Sequence, residues 1–217
     1  MKKYNTVIFD LDGTLINTLE DLADSVNYSL RLYGFPTRQI AEIRNFLGHG
    51  IRRLMELSIP NGLNNPQYEK CLSDFKNHYS SNMGNKTEPY KGIIELLEQL
   101  TNKDYKIAIV SNKFDKAVKE LNEIYFGGYI KVAIGESENV SRKPAPDSVF
   151  KALEELSADV DKAVYVGDSE VDVKTAKNSG LKSIGVTWGY RGREVLKQVG
   201  ADYIIDSPGE LLKIIHC

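Results

Sequence analysis

Apolar and polar positions along this chain of 217 residues follow two alternating periods. The short apolar run Val7-Ile8-Phe9 is β-branched and aromatic and reads as a strand covered on both faces, and Ile107 to Val110, Ala163 to Val166 and Ser183 to Val186 read as further strands. Weaker runs of the same kind lie at Lys131 to Ile134 and Tyr203 to Ile205. Elsewhere apolar residues recur at three and four residue intervals, the spacing of one helix face. Leu19, Leu22, Ala23, Val26 and Leu30 form the first such series, stopped by Gly34-Phe-Pro36. Thr18 is its expected N-cap, with Asp21 as the acid of a shortened capping box, and Thr37 is expected to cap the next helix, towards Phe46. Further helices are expected from Ile51 to Ser58, Tyr68 to Tyr79, Gly92 to Leu100, Asp115 to Ile124, Asp147 to Leu156, Val171 to Asn178 and Gly209 to Ile215.

Strand and helix alternate from Pro89 onwards, whereas residues 18–82 hold helices and no convincing strand. Alternation of this length predicts an α/β fold, a Rossmann-like core in which a parallel sheet carries helices on both faces. Residues 1–15 and 85–217 are expected to form that core, interrupted after its first strand by an all-helical insertion over 16–84. The insertion leaves beside Asp10 and Asp12, where a helical lid would exclude water from whatever the acids do.

Charge narrows the partners. With 28 basic and 30 acidic residues the net charge is −2, and no basic block stands out, which argues against a nucleic-acid surface and an anionic-membrane patch. Cys71 and Cys217 share no metal-like spacing and read as free thiols. The N-terminus enters the first strand without the apolar stretch of a signal peptide, and no run approaches a membrane span. The expectation is a cytoplasmic protein, monomer or homodimer, acting on a small molecule.

The chemistry sits where the strands end. The first run stops in Asp10-Leu-Asp12-Gly-Thr14, the second in Ser111-Asn112, and the Ala163 strand in Gly167-Asp168 with Asp172 one turn on, while Lys143 lies in the loop after the Lys131 strand. Carboxyl ends of parallel strands share one sheet edge, so these groups are expected to face a common point. Each has an ordinary reading as well: Asp12-Gly13 as a turn, Ser111-Asn112 as a helix cap, Lys143 and Asp172 as solvated surface charges. Taken jointly, clustered carboxylates with an all-oxygen donor set point to a hard cation, Mg²⁺.

Phe9 to Thr14, Val110-Ser-Asn112, Lys143-Pro144 and Gly167-Asp168 through Asp172, in that order, resemble the four motifs of the haloacid dehalogenase superfamily, over the whole chain. The resemblance implies a nucleophile at Asp10 and a general acid/base at Asp12. It implies Mg²⁺ held by Asp10, the backbone carbonyl of Asp12 and Asp168, with Asp172 as a further ligand or as a support for Lys143. Phosphate contacts would come from Thr14, Ser111, Asn112 and Lys143, and the helical insertion would be the small cap of that superfamily's phosphatases.

Departures within the superfamily favour a phosphatase. Its dehalogenases lack an acid two residues after the nucleophile, and its mutases usually carry a histidine near Leu22. Gly48-His-Gly50-Ile-Arg52 and Gly185 to Arg191 resemble the phosphoglycolate phosphatases, which implies Gly48, Gly50 and Arg52 as cap contacts to a small phosphorylated metabolite with a carboxylate. An inorganic pyrophosphatase or a sugar-phosphate enzyme of the same architecture is the rival. A receiver-like module holding a long-lived aspartyl-phosphate is the rival from another class, although it needs no cap.

Overall fold

The strand from Thr6 to Phe9 buries every one of its side chains, as its unbroken apolar pattern requires. In the computed structural model, which describes residues 2–216, the strands in chain order are β1 (Thr6–Phe9), β2 (Ile16–Asn17), β3 (Glu88–Pro89), β4 (Lys106–Phe114), β5 (Val132–Glu136), β6 (Ala163–Gly167), β7 (Lys182–Val186) and β8 (Tyr203–Ile205). The α-helices are α1 (Leu19–Leu32), α2 (Ile40–Phe46), α3 (Gly50–Ser58), α4 (Tyr68–Asn82), α5 (Ile93–Asn102), α6 (Asp115–Phe126), α7 (Asp147–Glu155), α8 (Glu170–Asn178), α9 (Arg193–Gln198) and α10 (Leu211–Ile215).

The chain divides into two units. One runs up to Ile16 and resumes at Pro89; the other spans Asn17–Glu88. The first holds a six-stranded sheet in the order β5-β4-β1-β6-β7-β8, every pair parallel. The chain builds outward from β1 through β4 to β5, then returns to the other side of β1 for β6, β7 and β8. Strand order therefore reverses at β1, the position where open α/β sheets open a crevice at their carboxyl edge. Register fixes what reaches that crevice. Phe9 lies opposite Ile109 on one side and Val166 on the other, so Asp10 leaves β1 at the level of Val110 on β4 and Gly167 on β6. Ile8, Ala108, Val110, Ile134 and Tyr165 pack with Val149, Ala152 and Ala176 of the flanking helices. Each large aliphatic side chain so buried contributes about 1.5–3 kcal/mol.

β4 continues past its expected end. Its apolar part stops at Val110, but the extended backbone runs on to Phe114, with a register shift against β5 between those two residues. Ser111, Asn112 and Lys113 thus sit on an irregular strand, a common way for a sheet to aim side chains beside a site.

The second unit is helical, with Leu22, Val26, Leu30, Ile43, Leu54, Met55, Leu72, Phe75 and Tyr79 buried. Ser29 on α1 donates to the Cys71 carbonyl on α4 at 2.6 Å, and Tyr33 donates to Asp74 at 2.6 Å. Two caps differ from expectation. The Thr18 side chain makes no cap bond to α1; Asn17 Oδ1 accepts from the Leu19 N–H at 3.2 Å. Asp21 is taken by the returning chain, accepting from the N–H groups of Lys86 and Thr87 and from the Thr87 hydroxyl at 2.9–3.1 Å, which removes it from any capping box. The second helix starts at Ile40, three residues after Thr37, with Glu42 accepting from the Gln39 N–H at 2.8 Å. Cys71 is a buried free thiol, and Cys217 lies outside the described residues. Among the described residues no helix is long and apolar enough to cross a membrane.

Candidate active site

Asp10 follows the last residue of β1 and is fixed through its backbone, whose N–H donates to the Val166 carbonyl on β6 at 2.9 Å. Its Oδ1 accepts from the Leu11 N–H at 2.7 Å and meets the Lys143 ammonium at 2.9 Å. The same ammonium reaches Asp172 Oδ1 at 2.8 Å and the Tyr165 hydroxyl at 3.0 Å. Lys143 is 4% exposed, so it acts as a fixed buried charge. Asn112 holds it there: Asn112 Oδ1 accepts from the Lys143 N–H at 2.8 Å, and Asn112 Nδ2 donates to the Lys143 carbonyl at 3.1 Å.

Asp168, one residue past β6, accepts from the Tyr190 N–H at 2.6 Å. Two glycines make room for it. Gly13 has φ +85°, a conformation that disfavours any other residue, and a Cβ there would strike the Asp168 carboxylate. A Cβ on Gly189 would fall on the Asp168 Cβ and the Gly13 carbonyl oxygen. The loop after β7 thereby closes on both motifs at once. Trp188 reinforces it, its indole N–H donating to the Thr14 carbonyl at 3.0 Å.

Asp10, Asp168 and Asp172 are all buried, each offering an oxygen within 4.8 Å of the others. Burial, then the neighbouring Asp172, pushes the Asp10 carboxyl up to about 7 against the pull of Lys143. Asp168 is pushed well above the usual carboxylate range by burial and by Asp172 and Asp10. Lys143 moves up as well. Burial alone would lower it, but Asp10 and Asp172 outweigh that and keep it an ammonium. With one ammonium among them, the three acids carry an excess of two negative charges when ionised. An all-oxygen set with that excess fits a divalent cation. Asp172 is the least available of the three. Its Oδ1 is held by Lys143, and its Oδ2 accepts from the Ser169 N–H at 3.0 Å and the Ser169 hydroxyl.

Asp12 pairs with Lys113, which approaches its two oxygens at 2.9 and 3.2 Å. Ser111 is buried, its hydroxyl accepting from the Lys113 N–H at 3.2 Å. The Thr14 hydroxyl is buried without a hydrogen-bond partner, an oxygen left for a ligand to satisfy. Asp10, Asp168, Asp172 and Lys143 thus share one cluster, with Asn112 beneath the lysine. Gly48, Gly50 and Arg52 belong to the helical unit. Both glycines there have positive φ (103° and 78°), and Arg52 is bound to Glu69 at 2.9 Å with its side chain half exposed. Sequence reasoning missed Lys113, Tyr165, Ser169 and the backbone donor of Tyr190. Of these only Lys113 carried a signal, a lysine two residues after Ser111.

A doubly flanked parallel sheet with acids, a serine and a lysine at its carboxyl edge defines a class of hydrolytic enzyme, and comparison with known proteins supplies its family. The profile described as haloacid dehalogenase-like hydrolase matches residues 7–186. The chain belongs to that family. It is 31% identical to the phosphoglycolate phosphatase of Aquifex aeolicus over 96% of this chain and 95% of that one. Pyrophosphatase PpaX of Bacillus mycoides is 30% identical over 98% and 97%. A crystal structure of a candidate phosphoglycolate phosphatase from Lactobacillus delbrueckii subsp. bulgaricus superposes with a TM-score of 0.93 at 34% identity, covering 99% of both chains.

Proposed function

We propose that the chain is a Mg²⁺-dependent phosphatase of small phosphorylated metabolites, with phosphoglycolate as its substrate. The observation that carries the reading is Lys143 wedged between Asp10 and Asp172 with Asp168 in the same buried cluster. Asp10, the backbone carbonyl of Asp12 and Asp168 would hold Mg²⁺, which when bound offsets negative charge on the phosphoryl group. Lys143 adds a fixed positive charge beside the Asp10 carboxylate, where the phosphoryl oxygens gather. Thr14 and Ser111 offer hydroxyls to those oxygens, Asn112 sets the position of Lys143, and Asp172 orients it.

The reaction runs in two displacements. An Asp10 carboxylate oxygen attacks phosphorus, the bond from phosphorus to the leaving oxygen breaks, and Asp12 gives that oxygen a proton. Water then attacks the aspartyl-phosphate with Asp12 taking its proton, which frees phosphate and restores Asp10. We read the helical unit, inserted after Leu15, as a cap, and Gly48, Gly50 and Arg52 within it as contacts to the substrate. Arg52 is weakened in this role by its bond to Glu69.

The likeness to pyrophosphatase PpaX supports a second substrate, pyrophosphate, for the same machinery. Steady-state phosphate release from phosphoglycolate, pyrophosphate, sugar phosphates and nucleotides, with Mg²⁺ and with EDTA, tests both. Phosphoglycolate is expected to give the highest kcat/KM, and activity is expected to vanish with EDTA. EDTA-resistant turnover would overturn the reading.

A further inference from the structure

The reaction scheme leaves one buried cation without a task. Lys113 leaves the irregular end of β4 two residues after Ser111, its side chain is 2% exposed, and it grips both carboxylate oxygens of Asp12. Lys143 serves Asp10 and Asp172, so each lysine has its own acids. Burying an ammonium is costly unless a partner is held in good geometry, which is what Asp12 supplies here. Asp12 is the more open end of the pair, its side chain 19% exposed.

Position gives this pair a consequence for substrate choice. To pass a proton, Asp12 must come within about 2.6–3.2 Å of the leaving oxygen. Lys113 lies 2.9 Å from the same carboxylate, so its ammonium falls within roughly 6 Å of that oxygen, two hydrogen bonds away. A negatively charged group one or two bonds beyond the leaving oxygen is then within its reach. Phosphoglycolate carries a carboxylate there and pyrophosphate a second phosphoryl group. These are the substrates named in the two kinds of relative, and an anionic leaving group is what they have in common. A neutral leaving group offers the ammonium nothing in exchange, and Asp12 stays locked in its ion pair.

We propose that Lys113 selects phosphoryl substrates whose leaving group bears its own anionic group, by pairing with that group in the substrate complex and so turning Asp12 from its ion pair towards the leaving oxygen. This rests on the phosphatase reading and deepens it. Lys113 is a specificity residue through its contact with the leaving group and a positioning residue through Asp12.

The test compares kcat/KM for phosphoglycolate and its uncharged amide, phosphoglycolamide, in wild type, Lys113→Met and Lys113→Arg, with Mg²⁺ present and folding checked by thermal melting. Wild type is expected to favour the carboxylate by at least about tenfold, the scale of one charge-assisted hydrogen bond. Lys113→Met should bring the ratio to within about threefold of unity, chiefly through a raised KM for phosphoglycolate, and Lys113→Arg should keep most of the preference. A wild-type ratio retained in Lys113→Met, or a loss equal for both esters, overturns the proposal. Wild type that releases phosphate from neither ester nor from p-nitrophenyl phosphate fails the phosphatase reading itself, a different result from turnover without preference.

Discussion

Asp168 and Asp202 stand at opposite edges of one sheet and are treated in opposite ways. Asp202 precedes β8 and accepts from the Lys182 ammonium at 2.6 Å, the Ser183 N–H at 3.0 Å and the Ser183 hydroxyl at 2.9 Å. The Lys182 and Ser183 bonds outweigh its partial burial and hold its carboxyl below the usual range. Asp168 lies among Asp10 and Asp172, and burial with those charges holds it well above that range. The amino edge spends its acid on stability, with donors supplied by the fold. The carboxyl edge leaves acids under-compensated, a state that persists because the sheet and two glycines hold them in place, and under-compensated acids are what a cation or a phosphoryl group can use.

The contrast breaks first at Asp10. Asp10→Asn is expected to lower kcat by on the order of 10³-fold or more, as removal of a nucleophile does, while the thermal midpoint stays or rises because a buried charge has gone. Phosphate release and a thermal melt read the two quantities. A variant with wild-type turnover would remove Asp10 from the mechanism.

The second effect is a pH dependence of opposite sign at the two edges. Asp10 titrates at about 7 in the fold against an ordinary 3.8, so without metal the folded chain holds a proton that the unfolded chain releases between those values. Its contribution is present below 3.8 and is lost as pH rises through about 7. Mg²⁺ competes for the same oxygens, so the rise in melting temperature on adding Mg²⁺ should grow from pH 5 to pH 8. A Mg²⁺ shift independent of pH would contradict the cluster's assignment as the cation site. Asp202 behaves in reverse: its contribution is present above 3.8 and is lost as pH falls through its lower folded value.

The smallest effect belongs to that edge. Asp202→Asn should cost about 1 kcal/mol in urea unfolding, since the ion pair is partly solvated and the serine bonds carry most of the loss. Its kcat on phosphoglycolate should equal that of wild type. A tenfold fall in kcat would mean the two edges are not separable.

How much of this was legible in the sequence follows from what each residue needs. The strands β1, β4 and β6 are legible because covering both faces forces apolar runs, and Asp10, Ser111 and Asp168 are legible because they follow those runs. Lys113 was not, since a lysine among 28 basic residues reveals its partner only once β4 lies beside β1. The task of Asn112 was equally hidden. An asparagine after a serine reads as a cap, and its grip on the Lys143 backbone spans 31 residues. Asp21 misled for the same reason, its donors Lys86 and Thr87 arriving from the far end of the insertion.

The indole of Trp188 is tied to the Thr14 carbonyl, in the turn that also carries Asp12 and Gly13, and it is the chain's single tryptophan. Its fluorescence therefore has one source, located beside the chemistry. Filling of the acid cluster that shifts the turn would alter the emission, so occupancy is open to titration by light without any attached label.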